Sequence, residues 1–385
     1  MMAVMIPRPR PLAHLRRGLE RQPVVALLGP RQCGKTTLAR MIASDEESLF
    51  FDLERPADRR RLEVPMQLLE GRGGLVVLDE IQRAPELFEI VRVLADDPGT
   101  PARFLILGSA SPALVRGASE SLAGRVAFVD LGGFGPDEVG RDRVPDLWLR
   151  GGFPRSFLAT DGDSSFQWRQ DFIRTFLERD IPALGLSMPA ETLRRFWTMV
   201  AHLHAGLWNG SSVGRSLGVS DKTARRYLDV LVGSYMVRAL PPWFENLKKR
   251  QVRSPKVLLR DTGILHALLG IVDRHQLLGH PKAGASWEGF VVEQILDRLG
   301  TRDAYFWATH QGAELDLLVL HRGRRLGFEV KLSDAPRPSR SMRVASDDLG
   351  LDALWVVHPG GDSWPMGERL EAVAFDDLLR RLDEM

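Results

Sequence analysis

Gly29, Pro30, Arg31, Gln32, Cys33, Gly34, Lys35 and Thr36 set two glycines, a lysine and a hydroxyl in the spacing G-x-x-x-x-G-K-T. Glycines at that spacing let a backbone curl until successive N–H groups face one anion, and a helix starting there adds its positive end. The apolar run 24–28 precedes the loop, and the helical pattern 37–42, opening on Thr37, follows it. That is the context such a loop requires. The chemistry is capture of a triphosphate. Lys35 would reach the β- and γ-phosphates, the Thr36 hydroxyl would meet Mg²⁺, and residues 29–37 together would line the nucleotide.

A second apolar run, 75–78, ends in Asp79 and Glu80. Asp79 would hold the Mg²⁺, directly or through water, and Glu80 would polarise the attacking water as general base. The run 104–107 ends in Gly108, Ser109, Ala110 and Ser111. Ser109 is either a polar group orienting the water or γ-phosphate, or part of a plain Gly/Ser turn. Arg125 stands just before the run 126–129. It reads either as a cation for the γ-phosphate, in cis or on a neighbouring copy, or as a structural ion pair. Short apolar strands alternating with helical patterns predict a doubly wound α/β sheet with its ligand at the strand C-termini.

Far down the chain, Asp316 lies in one strand pattern, and Glu329 and Lys331 lie two apart in the next. Positions two apart on a strand share a face, so Glu329 and Lys331 point the same way and Asp316 can join them from a neighbour. Two acids can bind Mg²⁺ while a lysine orients water or steadies a phosphorane. The D…E-x-K spacing resembles that of the restriction-endonuclease-like fold. The other reading is an ion-pair network on a fold remnant. Gln311 is a further polar candidate. The scattered histidines, His202 and His204 included, form no convincing zinc site, because i and i+2 diverge on a helix.

Between these regions, 164–204 reads as helical, with Asp180 before Ile181-Pro182 as an expected stop. Residues 211–228 carry a short helix, a turn at Gly218 and a second helix capped by Ser220 or Asp221, the helix-turn-helix pattern. Lys222, Arg225, Arg226 and the basic stretch Lys248, Lys249, Arg250, Arg253, Lys256 and Arg260 would meet DNA phosphates. The equal alternative is a lid or brace between domains.

The phrases GPRQCGKTTLA, VVLDEIQ, LILGSASP, LAGRV, GGFP, FLERDI, PKVLLRDTGILHALLG, WEGFVVEQ, AELDLLVL and FEVK stand in that order along nearly the whole chain. Together they resemble an AAA-type ATPase, and more narrowly the bacterial and archaeal ATPases that carry a C-terminal domain of unknown function. The resemblance implies an α/β, AAA-type core over 1–145, a helical lid over 146–205, a winged helix over 206–260 and a restriction-endonuclease-like α/β domain over 261–385. It implies ATP and Mg²⁺ as cofactors, and it makes Glu288 a third metal-binding acid beside Asp316 and Glu329. In related signalling-type ATPases a Gly-x-Pro element touches the nucleotide. Gly152-Phe153-Pro154 matches it, which places Pro154 at the site; a tight turn is the competing reading.

Bulk composition sets the outer bounds. With 385 residues the chain is long enough for two or three domains. Net charge is only +2, so attraction to DNA must come from local patches. One cysteine, Cys33, excludes an internal disulfide framework and suits a reducing cytoplasm. No apolar run reaches the roughly 20 residues of a membrane span. The expected partners are ATP or ADP, DNA, an unidentified protein and further copies of the chain, without a membrane.

Overall fold

The computed structural model describes residues 6–109, 118, 120–184, 188–244, 252–300 and 302–385. Ser109 is described only in its backbone. Ala110, Ser111, Lys248, Lys249 and Arg250 lie outside the described residues. The chain divides into two compact units. One holds residues 1–140, 152–155 and 233–235; the other holds the remainder.

The first unit is built on five strands: β1 (Val24–Gly29), β2 (Ser48–Asp52), β3 (Leu75–Asp79), β4 (Arg103–Ser109) and β5 (Val126–Asp130). Their order is β2-β3-β4-β1-β5 and every pairing is parallel. β1 and β3 are buried at every position, which is why they read as unbroken apolar runs rather than alternating ones. Val24, Ala26 and Leu28 of β1 share a core with Val76, Leu78, Phe104 and Ile106 and with Phe88, Val91 and Leu94 of the helix Leu87–Asp96. Truncating such a side chain, Ile106→Ala for instance, costs about 2–5 kcal/mol. A parallel sheet sends all strand C-termini to one edge. Register pairs Gly29 with Ser109 and Asp52 with Asp79 along that edge.

The second unit opens with helices Val144–Arg150, Gly162–Thr175 and Ala190–His202. The helix expected to stop at Asp180 does not. It widens into a π turn over Phe176–Asp180 and runs on as Ile181–Ala183. Pro182 cannot donate, and the wider turn absorbs the missing bond. Next come β6 (Gly206–Leu207), the helices Gly210–Leu217 and Asp221–Gly233, β7 (Val237–Leu240) and β8 (Lys256–Leu259). The three strands form an antiparallel sheet with β8 in the centre. Gly218, at φ +70°, closes the first helix of this pair, and the Ser220 hydroxyl accepts the Thr223 N–H at 3.1 Å to open the second.

After the helix Ala283–Leu299 follow β9 (Ala304–Ala308), β10 (Glu314–His321), β11 (Arg324–Val330), β12 (Ala353–His358), β13 (Trp364–Pro365) and β14 (Leu370–Ala374). They build a mixed sheet ordered β13-β14-β12-β11-β10-β9. The helices Ala283–Leu299 and Phe375–Asp383 pack together through Trp287, Phe290 and Phe375. Among the described residues no helix is long and apolar enough to cross a membrane.

Candidate active site

The loop 29–36 leaves β1 at its C-terminal end and runs into the helix Lys35–Ala43. Only glycine fits at its start, because a Cβ on Gly29 would stand 2.2 Å from the Leu131 carbonyl oxygen. Gly34 holds φ at +99°, in the left-handed region, and so turns the chain into the helix. Lys35 is buried, and its Nζ donates to the Gly29 and Pro30 carbonyls at 3.1 and 2.8 Å. Its partners are neutral oxygens of the same loop, which an anionic phosphate would outcompete. Cys33 is fully buried, while Thr36 and Thr37 face solvent.

The Thr36 hydroxyl donates to Asp79 Oδ2 at 2.7 Å. The other oxygen of that carboxylate, Oδ1, is buried and has no hydrogen-bond partner. Burial pushes the Asp79 carboxyl above its ordinary value, and Glu80 and Asp52 add to the effect; the Thr36 bond and Lys35 pull it back. An orphaned carboxylate oxygen beside a hydroxyl is the donor set a hard cation completes. Glu80, the next residue, holds φ at +58°. A left-handed conformation is costly for a residue with a Cβ and is kept where the surroundings dictate it. Its carboxylate meets the Gln82 side-chain amide.

Of the other expected residues, Pro154 reaches the loop. A Cβ on Gly34 would lie 4.0 Å from its ring and 3.7 Å from Arg8 Nη1. The Phe134 N–H donates to the Gly152 carbonyl at 2.6 Å, which fixes the segment carrying Pro154. Ser109 ends β4, the strand between the one carrying the loop and the one carrying Asp79. Arg125 is elsewhere. Its carbonyl accepts the Val24 N–H at the start of β1, the opposite edge of the sheet from Gly29. Five residues of strand separate the two edges, roughly 16 Å. Its guanidinium grips Asp96, with Nη2 at 2.7 Å from Oδ2. A role for Arg125 on its own chain's phosphates is therefore ruled out, and the ion-pair reading describes it.

Arg8 belongs to the site and was not expected there. It is 5% exposed, donates to the Cys33 carbonyl at 3.0 Å and the Gly133 carbonyl at 2.7 Å, and pairs with Glu138 at 3.1 Å. It thereby ties the loop to the segment after β5. No local pattern marks it in the sequence, because its partners lie up to 130 positions away.

The second unit brings Glu288, Asp316, Glu329 and Lys331 together, and adds Lys256. Lys256 Nζ lies 2.7 Å from Glu288 Oε1 and 3.1 Å from Asp316 Oδ1. Asp316 Oδ2 accepts the Val330 N–H at 3.0 Å, and Lys331 pairs with Glu329 at 2.7 Å. Burial and then Asp316 push Glu288 up to about 8 and Glu329 up to about 7. Three acids thus face two ammonium groups, and Glu329 Oε2 is buried without a hydrogen-bond partner. Gln311 is exposed and makes no part of this cluster.

Lys256 and Arg260, expected at a DNA surface, face inward instead. Arg260 and Arg238 both bond Glu293, whose carboxyl their charges hold down to about 2 against the opposing effect of burial. Lys222, Arg225, Arg226 and Arg253 are exposed, as expected. Lys222, Arg225 and Arg253 line a groove of about 940 Å³ with Trp208, Asn209 and His310. His204 and His266 hold structural places: His204 Nδ1 accepts the Leu259 N–H at 2.9 Å, His266 spans the Leu149 carbonyl and the Ser286 hydroxyl, and burial holds both near 3, while His202 is exposed.

Residues 21–139 match the family described as AAA domain. Residues 141–275 and 283–378 match two domains of unknown function (DUF8612 and DUF4143). Over 376 residues the chain is 52% identical to uncharacterized proteins of Mycobacterium tuberculosis and Mycobacterium bovis, covering 98% of this chain and 85% of each relative. Among solved structures, a Walker-type ATPase of Pyrococcus abyssi is 14% identical, covers 69% of this chain and 96% of its own, and has a TM-score of 0.48. A signal-transduction ATPase of Pyrococcus horikoshii with a tetratricopeptide repeat sensor covers 78% of this chain and 48% of its own, at 12% identity and a TM-score of 0.30. Scores this low carry no weight beside the loop geometry and the AAA match. The chain belongs to one family with the two mycobacterial proteins, and its first unit is an AAA-type P-loop domain.

Proposed function

We propose that the first unit binds ATP with Mg²⁺ and hydrolyses it, and that the nucleotide state governs the second unit. The observation that carries this is the Thr36–Asp79 pair, with its orphaned oxygen, beside Lys35 and Glu80 at the C-terminal edge of the sheet. The backbone N–H groups of 29–36 cradle the phosphates, and Lys35 moves from its loop carbonyls to the β- and γ-oxygens. Thr36 and Asp79 would hold Mg²⁺, which would neutralise charge on the phosphates. Glu80 accepts the proton of the attacking water, Ser109 at the end of the neighbouring strand is the group proposed to orient that water, and Pro154 closes on the nucleotide. Arg125 can serve a phosphate only on a neighbouring copy of the chain. The test is ATP turnover of Lys35→Ala. We expect it to vanish; a normal rate refutes the mechanism.

In this reading 146–205 is a lid, 206–260 a winged helix and 261–385 a restriction-endonuclease-like domain. The strand-helix-helix-strand-strand order with β8 central supports the second of these assignments. The groove between the second helix and Arg253 suits a DNA backbone. Replacing Lys222, Arg225 and Arg253 together by alanine should weaken duplex binding and flatten its salt dependence. A second reading is a nucleotide-switched signalling or scaffold protein whose C-terminal domain recognises partners without cutting. The Lys256 contacts favour it over a nuclease.

A further inference from the structure

We propose that the Lys256 ammonium stands where the D…E-x-K resemblance places a divalent cation, and that the wild-type carboxylate cluster is closed to metal ions. This concerns the second unit alone and does not depend on the ATPase reading.

Glu288 and Asp316 are two of the three acids expected to share a metal. Both turn an oxygen to Lys256 Nζ, at 2.7 and 3.1 Å. The remaining Asp316 oxygen accepts the Val330 N–H, so both oxygens of that carboxylate already have a donor, and Glu329 is the acid of the three that keeps a buried oxygen, Oε2, without a partner. A Mg²⁺ ion sits about 2.1 Å from each oxygen ligand. It would occupy the space that the ammonium already fills, with both cations in a water-poor pocket. The Phe306 ring, its centroid 6.0 Å from Nζ, flanks the lysine. Among the described residues no group of three or more His, Cys, Asp or Glu is placed to hold a metal ion.

Lys256 cannot easily withdraw. It opens β8, the central strand of its sheet, paired to Leu207 on one side and Leu240 on the other. Its side chain is 8% exposed, against 14% for Glu288 and 7% for Asp316. Swinging it out would strand two buried carboxylates without a counter-charge. The lysine also joins three elements: β8, the helix Ala283–Leu299 and β10. The ion pairs of Glu293 with Arg238 on β7 and with Arg260, just after β8, tie the same helix to this small sheet a second time. The D…E-x-K set therefore serves as an internal clamp. Lys331, which a nuclease would aim at water, is spent on Glu329.

The experiment is Mn²⁺ binding to the full chain without nucleotide, read by electron paramagnetic resonance and by melting temperature. Wild type should bind no ion that Asp316→Asn removes, and its melting temperature should not respond to Mn²⁺. Lys256→Met should melt roughly 10 °C lower and regain most of that loss in Mn²⁺ by binding one ion. Adding Asp316→Asn to Lys256→Met should abolish the rescue. A folded Lys256→Met that takes up no ion overturns the equivalence of ammonium and metal. If Lys256→Met does not fold, the wild-type pair decides. An ion bound by wild type and lost in Asp316→Asn overturns the proposal; its absence from both upholds it.

Discussion

The loop at Lys35 and the cluster at Lys256 use the same parts, a buried lysine close to carboxylates, to opposite ends. Lys35 bonds two neutral carbonyls, and Asp79 keeps one oxygen unpartnered. Lys256 bonds two carboxylates, and Asp316 spends its second oxygen on a backbone N–H. The difference lies in the lysine: one held by neutral oxygens can turn to a charged ligand, whereas one held between Glu288 and Asp316 fills the space between them, even though Glu329 Oε2 beside it is buried without a partner. Charge-assisted pairs are roughly twice as strong as neutral ones, so the exchange for phosphate is easy at the first site and hard at the second.

Removing the acid should therefore act differently at the two places. Asp79→Asn should lower ATP turnover by about 10²–10³-fold while leaving the melting temperature the same or higher. Asp316→Asn should leave turnover unchanged and cost about 3 kcal/mol of stability, measured by urea unfolding, because Lys256 loses a partner. If both substitutions lowered turnover equally, the contrast would fail. Arg8→Ala should fall between the two. It strands a buried Glu138, costs about 3 kcal/mol, and loosens the loop, so nucleotide affinity drops as well. Calorimetric titration with ATP analogues would check this, and unchanged affinity would separate Arg8 from the site.

The surplus acid of the second cluster gives a smaller, pH-dependent effect. Glu329 is raised in the folded chain to about 7 from an ordinary 4.5. Its contribution to stability is thus complete below 4.5 and lost as pH rises through 7. Glu329→Gln, which never ionises, should gain on wild type between pH 5 and pH 8 in urea midpoints. A constant difference across that range would show that the cluster carries no surplus charge. The smallest effect is expected at Arg125, whose alanine variant should turn over ATP normally in dilute solution. A defect that grows with protein concentration would instead reveal a role on a neighbour.

Legibility in the sequence followed the same division. The residues of 29–36 sit in one turn of chain, so their spacing alone displayed the loop, and the apolar runs of β1 and β3 were visible because both faces are buried. Arg125 precedes its strand and so belongs to the far edge of a parallel sheet; its type suggested chemistry that its position denies. Arg8 and Lys256 stayed hidden because their partners lie 25 to 130 and 32 to 60 positions away, with no local period to connect them. Lys256 even carried the wrong expectation. In a basic stretch it looked like a phosphate contact, and only the fold turns it inward.

The measurement that bears most directly on the central claim is a paired one on Glu80→Gln: nucleotide binding and Mg²⁺-dependent turnover on the same preparation. ATP should bind as it does to wild type while hydrolysis falls by about 10²-fold or more. Turnover at the wild-type rate would contradict the assignment of Glu80 as the base, and with it the reading of this edge of the sheet as a hydrolytic site.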